Sequence, residues 1–466
     1  MPLRRALPPL AWSLAWALAA GCSPGPVASR PRPATTSPPS TASAPPATPL
    51  ADWPVFGHDP GRSALQPGSP PASGLRRAWS VPVPGAVYAQ PVVADGKVVV
   101  ATETDQVLAF DAATGRLAWS RSLGQPVPGS SLPCGDIDPS GITSTPAVDT
   151  SSGTVWVVAF VQPHTHLLVG LDLSSGAVLS RRVADPTGSD PVVQQQRGAL
   201  ALDSRQVLIP FGGLYGDCGD YHGFVVAMPE TGPGPQTVFQ VPSRRQGGIW
   251  APGGATLTSS GDLLVATGNG SSTSAFDGGN AVYRLTVGLL PADYFAPANF
   301  AALSASDTDL GSDGPSLVAG GSMVFQVGKE GVGYLLSAAH LGGVGGQLYS
   351  ARVCQGAYGA NAVDASGQLV LVPCQDGLYA VRIGPGPSFR VAWHHPQLAP
   401  GPPVLAGGVV WVLDPQAGRL VGLDPATGQV RFSQQVGPAT RFSAPAAAGG
   451  ELLVAAGGRL SAFEGI

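Results

Sequence analysis

Trp250 and Asn269 bound the stretch "GGIWAPGGATLTSSGDLLVATGNG", two short β-type runs around a turn with a ring at one end and a glycine-flanked amide at the other. If both face one pocket, they suit a cofactor. If they only close a hairpin, Trp250 is packing and Asn269 occupies a left-handed turn. Further on, Asp307, Asp309 and Asp313 resemble a fragment of a calcium loop without its later glutamate, a pattern that Asx turns also explain. Lys329, in "FQVGKEGVGYLL", stands out because Lys97 in "DGK" is the only other lysine. Both lysines sit beside glycine in hairpins, where solvated charge is ordinary. His164 and His166, in "QPHTHLL", alternate as same-face strand residues and are expected on the surface rather than at a metal. No Cys/His spacing suits zinc, there is no P-loop, and the glycine runs at 341–346 follow no parallel strand and open no helix.

The elements that must position these residues are β-strands. The chain has 64 glycines and 48 prolines in 466 residues, and no long apolar stretch of helical period follows residue 22. Short apolar runs punctuated by Gly and Pro read as all-β. Charged residues make up 12% and net charge is −4, with no basic run beyond the N-terminus, which argues against nucleic acid as a partner.

The N-terminus is a separate object. "MPLRR" is a positive region, "ALPPLAWSLAWALAA" an apolar one, and "AAGC" follows. This resembles a bacterial lipoprotein signal, with residues 1–21 removed and Cys22 acylated, although Ala19 stands where a leucine is usual. Residues 22–50, rich in Pro, Ser, Thr and Ala, read as an extended, disordered tether that lifts a folded body off a membrane. Four cysteines remain, Cys134, Cys218, Cys354 and Cys374, and in an exported chain they suggest two disulfides out of three possible pairings.

Aligned on itself, the chain repeats a unit of four apolar strands, clearest in "QPVVADGKVVVATETDQVLAFDAATGRLAWSRSL" at 90–123. Further copies begin near Thr145, Gly198, Ala251, Gly314, Ala360, Pro402 and Ala444, which makes eight. A period of this length signals a solenoid, propeller or array, and four alternating strands per unit make one propeller blade. The last copy, ending "LSAFEGI", lacks a fourth strand, which "SGLRRAWSVPV" at 73–83 can supply. An eight-bladed β-propeller of four-stranded antiparallel blades is predicted over 51–466, closed by an N-terminal strand that removes an exposed pairing edge.

The run "AFDAATGRLAW" (Ala109, Asp111, Thr114, Gly115, Trp119) and its echoes "GLDPATGQVRF" at 422–432 and "GLDLSSGAVLS" at 170–180 resemble the repeat of pyrroloquinoline-quinone (PQQ) enzymes and their non-enzymatic relatives. The opening "WPVFGHDPGRS" at 53–63 is similar to that superfamily too. The resemblance implies an eight-bladed propeller and covers quinoprotein dehydrogenases, a periplasmic scaffold of outer-membrane assembly and other lipoproteins.

Propeller geometry adds an inference of its own. In each blade the residue before the first strand and the residue after the second lie at the same end, on the axial face. Trp250, Asn269, Asp309, Lys329, Asp217 and Asp220 all fall there, and so do the four cysteines, which predicts the pairs Cys134–Cys218 and Cys354–Cys374.

In the dehydrogenases a tryptophan floors the quinone, an asparagine in a "GTGN" turn binds calcium, an aspartate is the base, and a lysine or arginine in "GKxGxxYxLD" contacts the quinone. The resemblance therefore implies these roles for Trp250, Asn269, Asp309 and Lys329, with Asp217 or Asp220 where those enzymes carry a glutamate metal ligand. The chain departs from them in having no adjacent cysteines and no tryptophan before the aspartate. The leading expectation is a membrane-tethered, extracytoplasmic propeller that binds a small molecule or a protein partner, or acts as a scaffold, through its axial face. The alternative is a PQQ- and calcium-dependent alcohol or sugar dehydrogenase with Asp309 as base.

Overall fold

Val-, Leu- and Ala-rich runs pack well on a pleated surface, and glycine between them supplies the left-handed turn that reverses the chain. In "VVADGKVVVA" this gives strands Val92–Ala94 and Lys97–Ala101, joined through Asp95 and Gly96 at positive φ. Strands Gln106–Asp111 and Leu117–Ser122 complete an antiparallel sheet, the first blade. Seven more sheets repeat the arrangement, with inner strands starting at Ala147, Ala201, Thr256, Ser316, Ala362, Val404 and Ala446. The computed structural model describes residues 52–466, so the expected signal segment, Cys22 and linker lie outside the described residues.

The eighth blade draws its outer strand from the other end of the chain. Arg76–Pro82 pairs antiparallel with Arg459–Glu464, as expected from the missing fourth strand. Blades three and four each carry an added short strand, Gln194–Gln195 and Gly343–Val344, and a six-residue helix, Phe300–Ala305, precedes blade five.

The repeat motif has a mechanical meaning. Trp119 on the outer strand of blade one lies on Gly176 of blade two and donates its indole N–H to the Leu173 carbonyl at 2.8 Å. Trp79 meets Gly115 in the same way, as Trp393 does Gly428, with indole bonds of 2.8 Å to Ala112 and 2.9 Å to Pro425. A Cβ on any of these three glycines would come within 2.6 Å of a ring carbon, and all three have positive φ, so the motif needs glycine twice over. Because Trp79 belongs to the closing strand, the same contact locks blade eight onto blade one.

Residues 53–66 fill the ring from within. Trp53 exchanges two 2.8 Å backbone bonds with Val93, and the carbonyls of Pro54, Pro60 and Ser63 accept from Val148, Leu257 and Val363 at 2.8–2.9 Å. Gln66 donates to the Leu405 carbonyl at 2.8 Å. These partners lie toward the far ends of the inner strands, away from the axial face. Arg62, 6% exposed, spends its guanidinium on three carbonyls: Phe56 at 2.7 Å, Leu200 at 2.9 Å and Ala255 at 3.1 Å.

Both predicted disulfides are present, Cys134–Cys218 and Cys354–Cys374, with Cα separations of 6.1 and 6.4 Å. Replacing buried Trp119 by Ala removes an inter-blade ring and its hydrogen bond, and should cost about 3 kcal/mol or more, read as a lower urea midpoint followed by circular dichroism.

Candidate functional site

Trp250 leads into the inner strand of blade four, Thr256–Leu257, and Asn269 follows its second strand, Leu263–Ala266. In blade five, Asp309 precedes Ser316–Val318 and Lys329 follows Met323–Gln326. Backbone bonds hold these ends together: Gly247 N–H to the Asn269 carbonyl at 2.7 Å, Gly268 N–H to Gly248 at 2.9 Å, and Lys329 N–H to Asp309 at 2.9 Å. Gly268 has to be glycine, since a Cβ there would lie 2.6 Å from an Asp309 carboxylate oxygen.

The four side chains meet. Asp309, 7% exposed, accepts the Asn269 backbone N–H on Oδ1 at 2.7 Å and the Lys329 ammonium on Oδ2 at 2.6 Å. Lys329 Nζ also reaches Asp307, at 3.1 Å to Oδ1 and 3.2 Å to its carbonyl, and lies 5.8 Å from the centre of the half-buried Trp250 ring. Asn269 donates through Nδ2 to Asp307 Oδ1 at 2.7 Å and accepts from Asn280 Nδ2 at 3.1 Å. Burial pushes the Asp309 carboxyl up, while Lys329 and the Asn269 N–H pull it back. Burial opposes the charge on Lys329, but Asp309 and Asp307 outweigh it and hold its pKa up.

Asp217 and Asp220 take no part in this network. The Asp217 carboxylate accepts the Tyr221 hydroxyl at 2.6 Å, and Asp220 is exposed. Two residues unmarked by motif belong to the site. Asn280, fully buried, braces Asn269 and accepts the Leu310 N–H at 2.8 Å. Tyr221 is pushed up by burial and by Asp217, with further contributions from Asp309 and Asp307. Neither carries a signal in spacing, because each sits in the loop ahead of a third strand, Tyr221 before Phe224–Pro229 and Asn280 before Val282–Leu285, outside the apolar periodicity.

Three expectations need correction. Asn269 is not a left-handed turn residue; Asn280 is, at φ 49°. The Asp309 carboxylate does not close an Asx turn, because Lys329 and the distant Asn269 N–H claim both oxygens. His166 is not on the surface: it is 1% exposed, its ring stacks on Phe160 at 4.2 Å, and Nδ1 lies 2.7 Å from Asp185 Oδ1.

The donor set does not fit calcium. That ion takes six to eight oxygens, whereas Asn269 turns its oxygen to Asn280 and both Asp309 oxygens already have partners. Among the described residues, the one group of three Cys, His or acidic ligand atoms within reach of a single ion is Cys354, Cys374 and Asp376, and the two cysteines are already bonded to each other. The positive charge in this site is the ammonium of Lys329.

Replacing Lys329 by Met would strand a buried carboxylate and should lower stability by about 3 kcal/mol, with much of it restored in the Lys329→Met/Asp309→Asn double variant, both measured by urea unfolding. The axial face also sets a pH dependence. Burial raises Glu103 to about 7 and raises Asp105 and Asp313 to about 8. Each folded value exceeds its unfolded one, so this stabilisation is complete below about pH 4 and is lost as pH rises through 7 to 8, at up to about 1.4 kcal/mol per pH unit for each group. Thermal midpoints should therefore fall from pH 5 to pH 8, and Glu103→Gln should flatten that fall.

A family model described as "Outer membrane protein assembly factor BamB" matches residues 72–280 and 387–465. No curated protein matches the chain. Among solved structures, the quinohemoprotein alcohol dehydrogenase from Comamonas testosteroni aligns with a TM-score of 0.71 at 16% identity, over 89% of this chain and 80% of that one. A europium-containing methanol dehydrogenase gives 0.68 at 13%, over 87% and 89%. BamB from Moraxella catarrhalis gives 0.58 at 12%, over 84% and 99%. At these identities the structures share the fold, and the match of the family model over more than half of the sequence assigns membership: the chain belongs to the PQQ-like β-propeller family whose model carries the BamB description.

Proposed function

We propose that the protein is a lipid-anchored, extracytoplasmic binding module, tethered to the outer side of the cytoplasmic membrane or cell envelope through Cys22 and the 22–50 linker, with the propeller's axial face presented to a small molecule or a protein partner. The observation that supports binding over oxidation is the closed network around Asp309, in which the Lys329 ammonium and the Asn269 backbone N–H partner both carboxylate oxygens. A polarised quinone needs a divalent ion beside it, and the carboxylates around Asn269 do not assemble a cage for one. A PQQ- and calcium-dependent dehydrogenase is the competing reading, favoured by the meeting of Trp250, Asn269, Asp309 and Lys329 in one site.

Cell fractionation combined with dye-linked oxidation decides between them. The full chain should sediment with membranes, its Cys22→Ser variant should be recovered in the soluble fraction, and neither should oxidise alcohols or sugars after PQQ and Ca²⁺ are added. Turnover that is lost in Asp309→Asn would overturn the binding-module reading.

A further inference from the structure

Among the described residues two arginines, Arg62 and Arg197, are buried, and they are treated in opposite ways. Arg62, in the central plug, has a carbonyl partner for each of its three nitrogens. Arg197, 8% exposed and just ahead of the inner strand of blade three, has a buried Nη2 with no acceptor, and no ion pair reaches it among the described residues. Its neighbours are rings: the guanidinium carbon lies 4.9 Å from the centre of Phe442 and 5.7 Å from that of Tyr88. A cation over aromatic faces gains attraction, but rings cannot accept the in-plane N–H bonds that a guanidinium offers.

The nearby acid does not neutralise it. Glu103 contributes a favourable charge to Arg197, yet its Oε2 is taken by the Gly141 N–H at 2.7 Å and the Thr143 hydroxyl at 3.2 Å, and its Oε1 has no partner. The walls, in contrast, are firmly held. The Thr440 hydroxyl donates to the Val87 carbonyl at 2.5 Å, tying the segment that carries Phe442 to the one that carries Tyr88. Phe442 is also kept at φ 64°, a left-handed conformation unusual for a bulky residue. At the rim, the half-exposed Arg441 lies 5.2 Å from the Tyr215 ring centre and pairs with Asp136. Tyr88, Arg197 and Phe442 stand ahead of the inner strands of blades one, three and eight, so all three are on the axial face.

Buried polar groups are normally satisfied, and one without a partner calls for an explanation. An unpaired guanidinium gripped by two rings is an arrangement that a planar oxyanion completes, since the N–H fork matches a carboxylate bidentately. We propose that Arg197 is the anchor of an axial-face site for the carboxylate of a small organic acid, walled by Tyr88 and Phe442. A carboxylate balances one guanidinium charge for charge and matches its two-pronged N–H fork, whereas a phosphate dianion would bring a second negative charge for which the site offers no further partner. The assignment rests on the binding-module reading and concerns a different set of side chains from the Lys329 cluster.

The test uses the full chain and benzoate as probe, with benzamide as its uncharged counterpart and inorganic phosphate as the competing anion, each titrated calorimetrically to millimolar concentration. Benzoate should bind, benzamide at least tenfold more weakly, and phosphate should not displace benzoate. Arg197→Met should weaken benzoate at least tenfold while leaving the ligand-free thermal midpoint unchanged or raised by about 2 °C, because it removes an uncompensated charge. Phe442→Ala, which keeps the guanidinium, should weaken benzoate several-fold. Equal binding of benzoate and benzamide, preferential binding of phosphate, or a large fall in the midpoint of Arg197→Met would overturn the assignment. A chain that ignores benzoate but shows no quinone-dependent turnover loses only the Arg197 site. Quinone-dependent turnover removes the binding-module reading itself.

Discussion

Eight inner strands, each paired on one side only, line a channel with unmatched backbone N–H and C=O groups, and satisfying them is the constraint on which the rest of this structure depends. Buried backbone groups without partners are costly. Residues 53–66 meet the need by winding a turn-rich segment past the inner strands of blades one, two, four, six and seven, with Arg62 reaching carbonyls of blades three and four. Gln90 extends the same network, accepting the Trp53 indole N–H at 3.0 Å and donating to Pro445 ahead of blade eight at 2.6 Å. One short segment thus binds the ring from inside, while tryptophan-on-glycine contacts bind it from outside.

Filling one end of the channel leaves the axial face as the end where chemistry can gather. Loops there come from both hairpin positions of each blade, so residues far apart in the chain become neighbours, as Asn269 and Asp309 do across 40 positions. The face carries two cationic centres with different electrostatics. Around Lys329 the charges are matched by carboxylates and the hydrogen bonds are closed. Around Arg197 the charge is held by rings and the hydrogen bonds are open. A satisfied centre contributes to the fold, and an unsatisfied one is where a ligand gains most, because its binding relieves a cost that folding has already imposed.

Most of the fold was legible in the chain itself. The four-strand unit, its eight copies, the exchange of the closing strand and both disulfides follow from the periodicity of apolar runs and from the rule that hairpin ends share a face. The convergence of Trp250, Asn269, Asp309 and Lys329 was legible for the same reason. Asn280, Tyr221 and Arg197 were not, because their roles depend on which side chains the closed ring brings against them, some from the same blade and some from blades far off in the chain, and a repeat pattern does not encode those distances. His166 reads as surface by strand alternation, yet it sits where blades two and three press together, so both faces of its strand are covered.

By itself, then, the sequence determined the architecture. Glycine turns and strand periodicity are local properties, repeated often enough that only a ring could bury them. What the tertiary structure alone decided is the state of each charge. Which groups partner the Asp309 oxygens, and whether Arg197 meets a carbonyl or an aromatic ring, depends on the close placement of groups from different blades. Electrostatic energies at such separations change steeply with distance and burial, and neither quantity is written in the order of the residues.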